Sequence, residues 1–141
     1  MKKKILSALT LSFLLVVPIA TTVSANSNGG SWSNEITYNV HAGNFTWAKA
    51  GVSSTSNRKV TVSDGWDLNV HARTMSSRPS VRMSTSSGIA RSNAVTVPSK
   101  NGHIAGNGNT AKTSETVRTQ VRSAINQVTN NQTIRYQFSA R

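Results

Sequence analysis

The chain contains no cysteine. Disulfides, thiolate nucleophiles and Cys-based metal sites are therefore excluded, and the fold is held by packing and hydrogen bonds alone. Acids are scarce too: 4 Asp and Glu stand against 16 Lys and Arg. Acid–base catalysis needs carboxylates whose pKa values are pushed apart by burial or like charge. Glu35, Asp64, Asp67 and Glu115 are instead scattered among cations, which favour ordinary ionised carboxylates. The histidines are His41, His71 and His103. There is no G-x-S-x-G elbow, no H-E-x-x-H, no P-loop and no EF-hand spacing. These absences argue against an enzyme, and no cofactor is expected. Leucine is nearly missing beyond residue 25, where Leu68 stands alone. Valine and isoleucine carry the apolar content among many Ser, Thr and Asn, a composition that favours strands.

There is one long apolar run, and it lies at the start. "MKKKILSALTLSFLLVVPIATTVSA" opens with Lys2, Lys3 and Lys4, continues apolar from Ile5 to Ile19, and closes on Val23-Ser24-Ala25. This is the pattern of a secretory signal peptide over 1–25, cleaved after Ala25. The run is shorter than the ~20 residues that span a bilayer. A single secreted, extracellular β-rich domain is expected over 26–141. With no cysteine for lipidation and no further apolar run, the mature chain is expected to have no transmembrane segment. Export of a cysteine-free chain suits a bacterial source.

Without the three leading lysines, 13 basic and 4 acidic residues remain, a formal charge of +9, and nine of the cations are arginine. Such a balance favours anionic partners outside a cell, such as teichoic acid or anionic lipid. Solubility alone also calls for net charge, so the balance by itself names no target. Nucleic acid is a less favoured partner, because the aromatics needed to stack bases fall at inward strand positions. Six of the seven beyond residue 25 do so, Trp32 being the exception.

Strand patterns recur along the chain. "ITYNVHAGNFTWAKA" predicts a hairpin with a two-residue Gly43-Asn44 turn, setting Ala42 against Phe45 and Val40 against Trp47. "KVTVSDGWDLNVHA" predicts a second hairpin around a Ser63-Asp64-Gly65 loop with Gly65 left-handed, setting Val62 against Trp66 and Val60 against Leu68. "NVHA" thus occurs twice, but entering one turn and leaving another, so it marks no structural repeat. "SVRMS" buries Val81 and Met83, "NAVTVPS" presents Val95 and Val97, "GIARS" is a short strand candidate, and "TIRYQFSAR" buries Ile134, Tyr136 and Phe138. The Gly/Asn-rich stretch 99–113 is expected to be a mobile loop. Over 114–129, Val117, Val121, Ala124, Ile125 and Val128 fit one helical face, so a C-terminal amphipathic helix is expected there. Alternation of Val117, Thr119, Val121, Ser123 and Ile125 is the strand alternative. The fold class is mainly β: a small antiparallel β-sandwich or barrel of six to eight short strands.

Two constellations carry chemistry. Arg73, Arg82, Arg135 and Arg141 sit at outward strand positions, and Arg118 and Arg122 lie one helical turn apart. If they share one face, they form a polyanion-binding surface. Asp67 and His71 share a strand face, and His41 would join them as a metal ligand only if two hairpins lie side by side. Three such ligands fall short of a supported site, so no metal is expected. The chain is therefore expected to be a secreted, non-enzymatic basic protein binding anionic polymers or surfaces of the cell envelope. A bacteriocin-like antibacterial protein and an extracellular matrix or fibre-forming protein are the alternatives.

Overall fold

The computed structural model describes residues 30–141. The expected signal segment 1–25 lies outside the described residues. Nine short strands follow in order: β1 Ile36–Val40, β2 Ala48–Ala50, β3 Asn57–Arg58, β4 Trp66–Arg73, β5 Ser80–Ser84, β6 Val95–Thr96, β7 Gly102–Gly106, β8 Thr116–Arg122 and β9 Gln132–Ser139. They form two antiparallel sheets, a four-stranded one ordered β1-β9-β4-β7 and a five-stranded one ordered β2-β8-β5-β6 with β3 also paired to β8. Among the described residues, helix is limited to one 3-10 turn at Ser53–Thr55, and no helix is long and apolar enough to cross a membrane.

Alternation explains the core. Trp66, Leu68 and Val70 of β4, Ile134, Tyr136 and Phe138 of β9 and Ile36 and Val40 of β1 are buried from one sheet. Val81 and Met83 of β5 and Val117 and Val121 of β8 are buried from the other, and all belong to one apolar cluster. The sheets therefore pack face to face as a sandwich, with no closed barrel.

Connectivity departs from the expected hairpins. Gly43 does turn with a positive φ of 69°, but β1 pairs with β9, setting Val40 against Gln132, and β2 pairs with β8 in the other sheet. Pairs of β1 with β2 are absent because β8 and β9 are long, strongly alternating strands that recruit both. The second hairpin is absent too. Val60 and Val62 are exposed, Val62 at 94%, and Gly65 is not among the residues with positive φ. Residues 59–65 run as an irregular segment, held where Val60 N–H donates to Arg141 C=O and Lys59 Nζ donates to Asn109 C=O.

Two further expectations are corrected. The stretch 114–129 contains β8 rather than a helix; both readings bury Val117 and Val121, but Ile125 and Val128 end up exposed. Strand partners on both sides satisfy β8's backbone, and β-branched Thr116, Val117, Thr119 and Val121 suit it. The stretch 99–113 contains β7, which pairs along β4 from Trp66↔Gly106 to Val70↔Gly102. "GIARS" contributes only an isolated bridge, Ser84↔Ala90.

One consequence of the register organises the surface. Val40 lies opposite Gln132, Arg73 opposite Ile134, Gly102 opposite Val70, and Ser80 opposite both Arg122 and Thr96. Four of the six segments that cross between the sheets, 41–47, 74–79, 97–101 and 123–131, therefore gather at one end of the sandwich. The segment 51–65 and the loops 85–94 and 107–115 close the other, where 59–65 and 107–115 make the remaining two crossings.

Gly106 shows how tightly β7 docks. A Cβ at this position would overlap the indole nitrogen of Trp66, which is fully buried. Gly106→Ala is expected to destabilise the domain by about 1–3 kcal/mol through overpacking. Urea unfolding followed by tryptophan fluorescence would measure it; an unchanged midpoint would show that Trp66 repacks freely.

Candidate anion-binding face

The site begins with the alternation of β8. Val117, Thr119 and Val121 turn inward, so Arg118, Gln120 and Arg122 turn outward. On the neighbouring strand Val81 and Met83 turn inward, and Arg82 turns outward. Cross-strand register sets Ser80 opposite Arg122, Arg82 opposite Gln120, Ser84 opposite Arg118 and, from β2, Lys49 opposite Gln120. Arg82, Arg118, Arg122 and Lys49 thus share the outer face of the five-stranded sheet. The turn after β5 folds back over this face, bringing Gly88 beside the Gln120 amide and the Lys49 stem.

Trp47 organises the centre. The guanidinium carbon of Arg82 lies 4.3 Å from its ring centroid and that of Arg122 lies 4.7 Å away. Each contact is worth roughly 0.5–2 kcal/mol, depending on desolvation. The Nε of Arg82 donates to Gln120 Oε1 at 2.9 Å. Partial burial and, after it, the charge of Arg122 lower the Arg82 pKa from its ordinary value. An arginine so shifted is still cationic at neutral pH. Two like charges are therefore held together by an indole and an amide, and a carboxylate is missing from the cluster. Three of the four acids are engaged elsewhere: Glu35 with Arg135 and His71, Glu115 with Arg91, and Asp67 with Arg141 and His103. A cleft of about 490 Å³ adjoins the pair and is lined by Phe45, Arg78, Ser80, Thr96, Arg122 and Ile125, among others.

The six arginines singled out in the sequence divide evenly. Arg82, Arg118 and Arg122 come together. Arg73 ends β4 in the other sheet, where its guanidinium donates to the carbonyls of Ser99, Ser76 and Ser77. Arg135 pairs with Glu35 at 3.1 Å on the outer face of the four-stranded sheet. Arg141 makes two 2.6 Å hydrogen bonds to Asp67. Lys49 and Trp47 were not expected at the site. Trp47 was assigned to the core through the Gly43-Asn44 hairpin, and with that hairpin gone it is half-buried at the surface. Phe45, likewise assigned inward, is 47% exposed.

The metal candidates do not converge. His41 is exposed at the end of β1, His71 Nδ1 faces Glu35 at 3.2 Å, and Asp67 is occupied by Arg141 and by His103 Nε2 at 2.7 Å. Among the described residues, no three His, Asp or Glu side chains group in a way that would hold a metal. Comparison with protein-family models, curated proteins and solved structures finds no match to this chain.

Asp67 is a structural acid. Burial works to raise its pKa, but hydrogen bonds from Arg141 and His103 outweigh burial and hold it below the ordinary value. A depressed carboxyl contributes stability that is present above its unfolded pKa of about 3.9 and is lost as pH falls through the lower folded value. Asp67→Asn is expected to cost about 3 kcal/mol at neutral pH, since it leaves Arg141 without its partner. The gap between wild type and variant should close below about pH 4. Chemical denaturation of both proteins across pH 2–7 would check it; a pH-independent gap would remove the ionised pair from the account.

Proposed function

We propose that the protein is exported and binds an anionic, phosphodiester-bearing polymer of the cell envelope, of the teichoic-acid type, without catalysing a reaction. The observation that carries this reading is the Arg82–Trp47–Arg122 cluster. Two guanidiniums held together without a carboxylate supply forked donors and uncompensated charge at one place. A bound phosphate relieves the repulsion between them. Arg118 and Lys49 extend the charge along the same sheet face, as a repeating polyanion requires. The antiparallel sheet face, with its cations in rows along the strands, suits a chain laid across it. The apolar stretch in 1–25 and the formal +9 of the remaining chain fit export to a phosphate-rich surface.

The test is sedimentation of the protein with purified cell walls, with and without their teichoic acids, over a salt series. Binding is expected to vanish with the teichoic acid and to weaken steeply with salt. Arg82→Gln and Arg122→Gln are each expected to weaken it about tenfold, the equivalent of one charged hydrogen bond of about 1.5 kcal/mol. Arg135→Gln, which removes a cation already paired with Glu35, is expected to change little. Wall binding that ignores salt, or that survives the double Arg82→Gln/Arg122→Gln substitution, would sink the proposal.

A further inference from the structure

The end of the sandwich where four of the six inter-sheet segments gather has a composition that the sheet face does not explain. Segments 41–47, 74–79, 97–101 and 123–131 contain no Asp or Glu. They contain Arg78 and Lys100, and Arg73 and Arg122 are the last residues of the strands that enter them. Three of the four carboxylates lie toward the opposite end: Asp64 and Asp67 stand at the start of β4 and Glu115 just before β8, while Glu35 is paired with Arg135 and His71 partway along the four-stranded sheet. The cations of these four segments thus have no carboxylate among them.

The same end exposes large apolar side chains. Ile125 is 89% exposed, Val128 61% and Phe45 47%. Their loops are not loose. Gly43 N–H donates to Gln127 C=O, Ser123 N–H donates to Asn44 C=O, and the buried Gln127 amide donates to Val40 C=O. Ala42 N–H donates to the Asn131 side chain. The two loops are therefore locked to each other and hold their apolar side chains in water. Phe45 and Ile125 line the cleft beside Arg78 and Arg122, so apolar and cationic groups alternate over a few ångströms.

A hydrophilic polyphosphate satisfies the arginines but offers nothing to Ile125 or Val128. A bilayer interface offers both: phosphates at headgroup depth and acyl chains just beneath. Arginine stems lie along apolar surface while the guanidinium reaches the phosphate plane. We infer that this loop end is a membrane-docking surface, which seats Phe45, Ile125 and Val128 at the headgroup–acyl boundary of an anionic bilayer with Arg73, Arg78, Lys100 and Arg122 around them. The occupant is a lipid surface rich in anionic headgroups. Juxtaposed cations attract such a leaflet, and the lack of acids at this end removes the repulsion that would oppose it.

The inference goes beyond the polymer reading and is tested separately from it. The protein is floated with vesicles of phosphatidylglycerol and phosphatidylcholine in equal parts, and with phosphatidylcholine alone, at physiological salt. Binding to the mixed vesicles is expected, at least tenfold tighter than to phosphatidylcholine. Ile125→Ser with Val128→Ser, both at solvent-exposed positions, is expected to cost at least tenfold in vesicle binding. The same variant should retain native circular dichroism and wild-type sedimentation with teichoic-acid-bearing walls. Absence of binding to the mixed vesicles overturns the inference. So does vesicle binding that the double variant leaves unchanged, which would reduce it to charge attraction. Either result leaves the polymer reading standing if wall sedimentation persists, and loss of wall sedimentation alone leaves the membrane inference standing.

Discussion

The hydroxyls of Thr119 and Tyr136 meet at 2.7 Å in the middle of the sandwich. Both side chains are fully buried. One belongs to β8 in the five-stranded sheet and the other to β9 in the four-stranded sheet, so a hydrogen bond crosses a core that has no disulfide. Burial raises the Tyr136 pKa far above its ordinary value, with the Thr119 bond working the other way. The phenol therefore stays protonated through any physiological range. A buried hydroxyl that loses its partner costs about 1–3 kcal/mol, which ties the parity of β8 to that of β9. A one-residue slip of β8 would expel Val117, Thr119 and Val121 and bury Arg118, Gln120 and Arg122. The arrangement that presents arginines on one face is thus the outer side of the arrangement that closes the core.

Carboxylate scarcity shapes what remains of the surface. Asp67 sits 1% exposed between Arg141 and His103, Glu115 holds Arg91 and accepts from Lys112 N–H, and Glu35 bridges Arg135 and His71. Each of these acids ties a strand edge or a chain segment to the fold. Burial lowers the Lys59 pKa, with Asp64 and then Glu115 opposing that shift. Asp64, Asp67 and Glu115 thus lie toward the end where 51–65 and 107–115 pass, Glu35 is engaged partway along the four-stranded sheet, and none is left to neutralise the other cations. The surplus positive charge is consequently not spread evenly. It gathers on the outer face of the five-stranded sheet and at the end formed by 41–47, 74–79, 97–101 and 123–131.

Legibility in the sequence followed the length and cleanliness of alternation. β5 and β9 were apparent residue by residue because Val81 and Met83, and Ile134, Tyr136 and Phe138, alternate with polar side chains and are buried as expected. The inward set of β4 was equally apparent. Partner choice was not, because a turn signal such as Gly43-Asn44 specifies a reversal but not whether the chain returns to the same sheet. In this fold six connections lead to the opposite sheet, and local pairing logic fails at each. β8 was ambiguous because Val117 and Val121 are four apart, a spacing common to both periodicities. Ile125 and Val128 then extended the helical pattern although they lie beyond the strand. β7 was hidden by its glycines: only Gly fits against Trp66 at position 106. Of the four arginines read from strand parity only Arg82 shares the five-stranded face; Arg118 and Arg122 were paired by helical spacing, and residues four apart also share a face of a strand. Trp47 was missed for the same reason as the hairpin, since its place beside Arg82 and Arg122 depends on β2 joining β8 rather than β1.

Arg122 stands where the two proposed surfaces meet. It closes β8, covers Trp47 on the sheet face and lines the cleft at the loop end. Because that end is formed by segments that leave and enter strand ends, the sheet face runs away from it along the strands rather than across it. A domain seated by this end on a bilayer would hold its five-stranded face upright, roughly along the bilayer normal. Polymers that extend outward from a membrane would then run parallel to the row formed by Arg122 and Arg118 on β8 and Arg82 on β5. The two readings therefore make no competing demand on orientation. What couples them is the single antiparallel register of β5 and β8, which places Ser80 opposite Arg122 at the loop end and Ser84 opposite Arg118 farther from it.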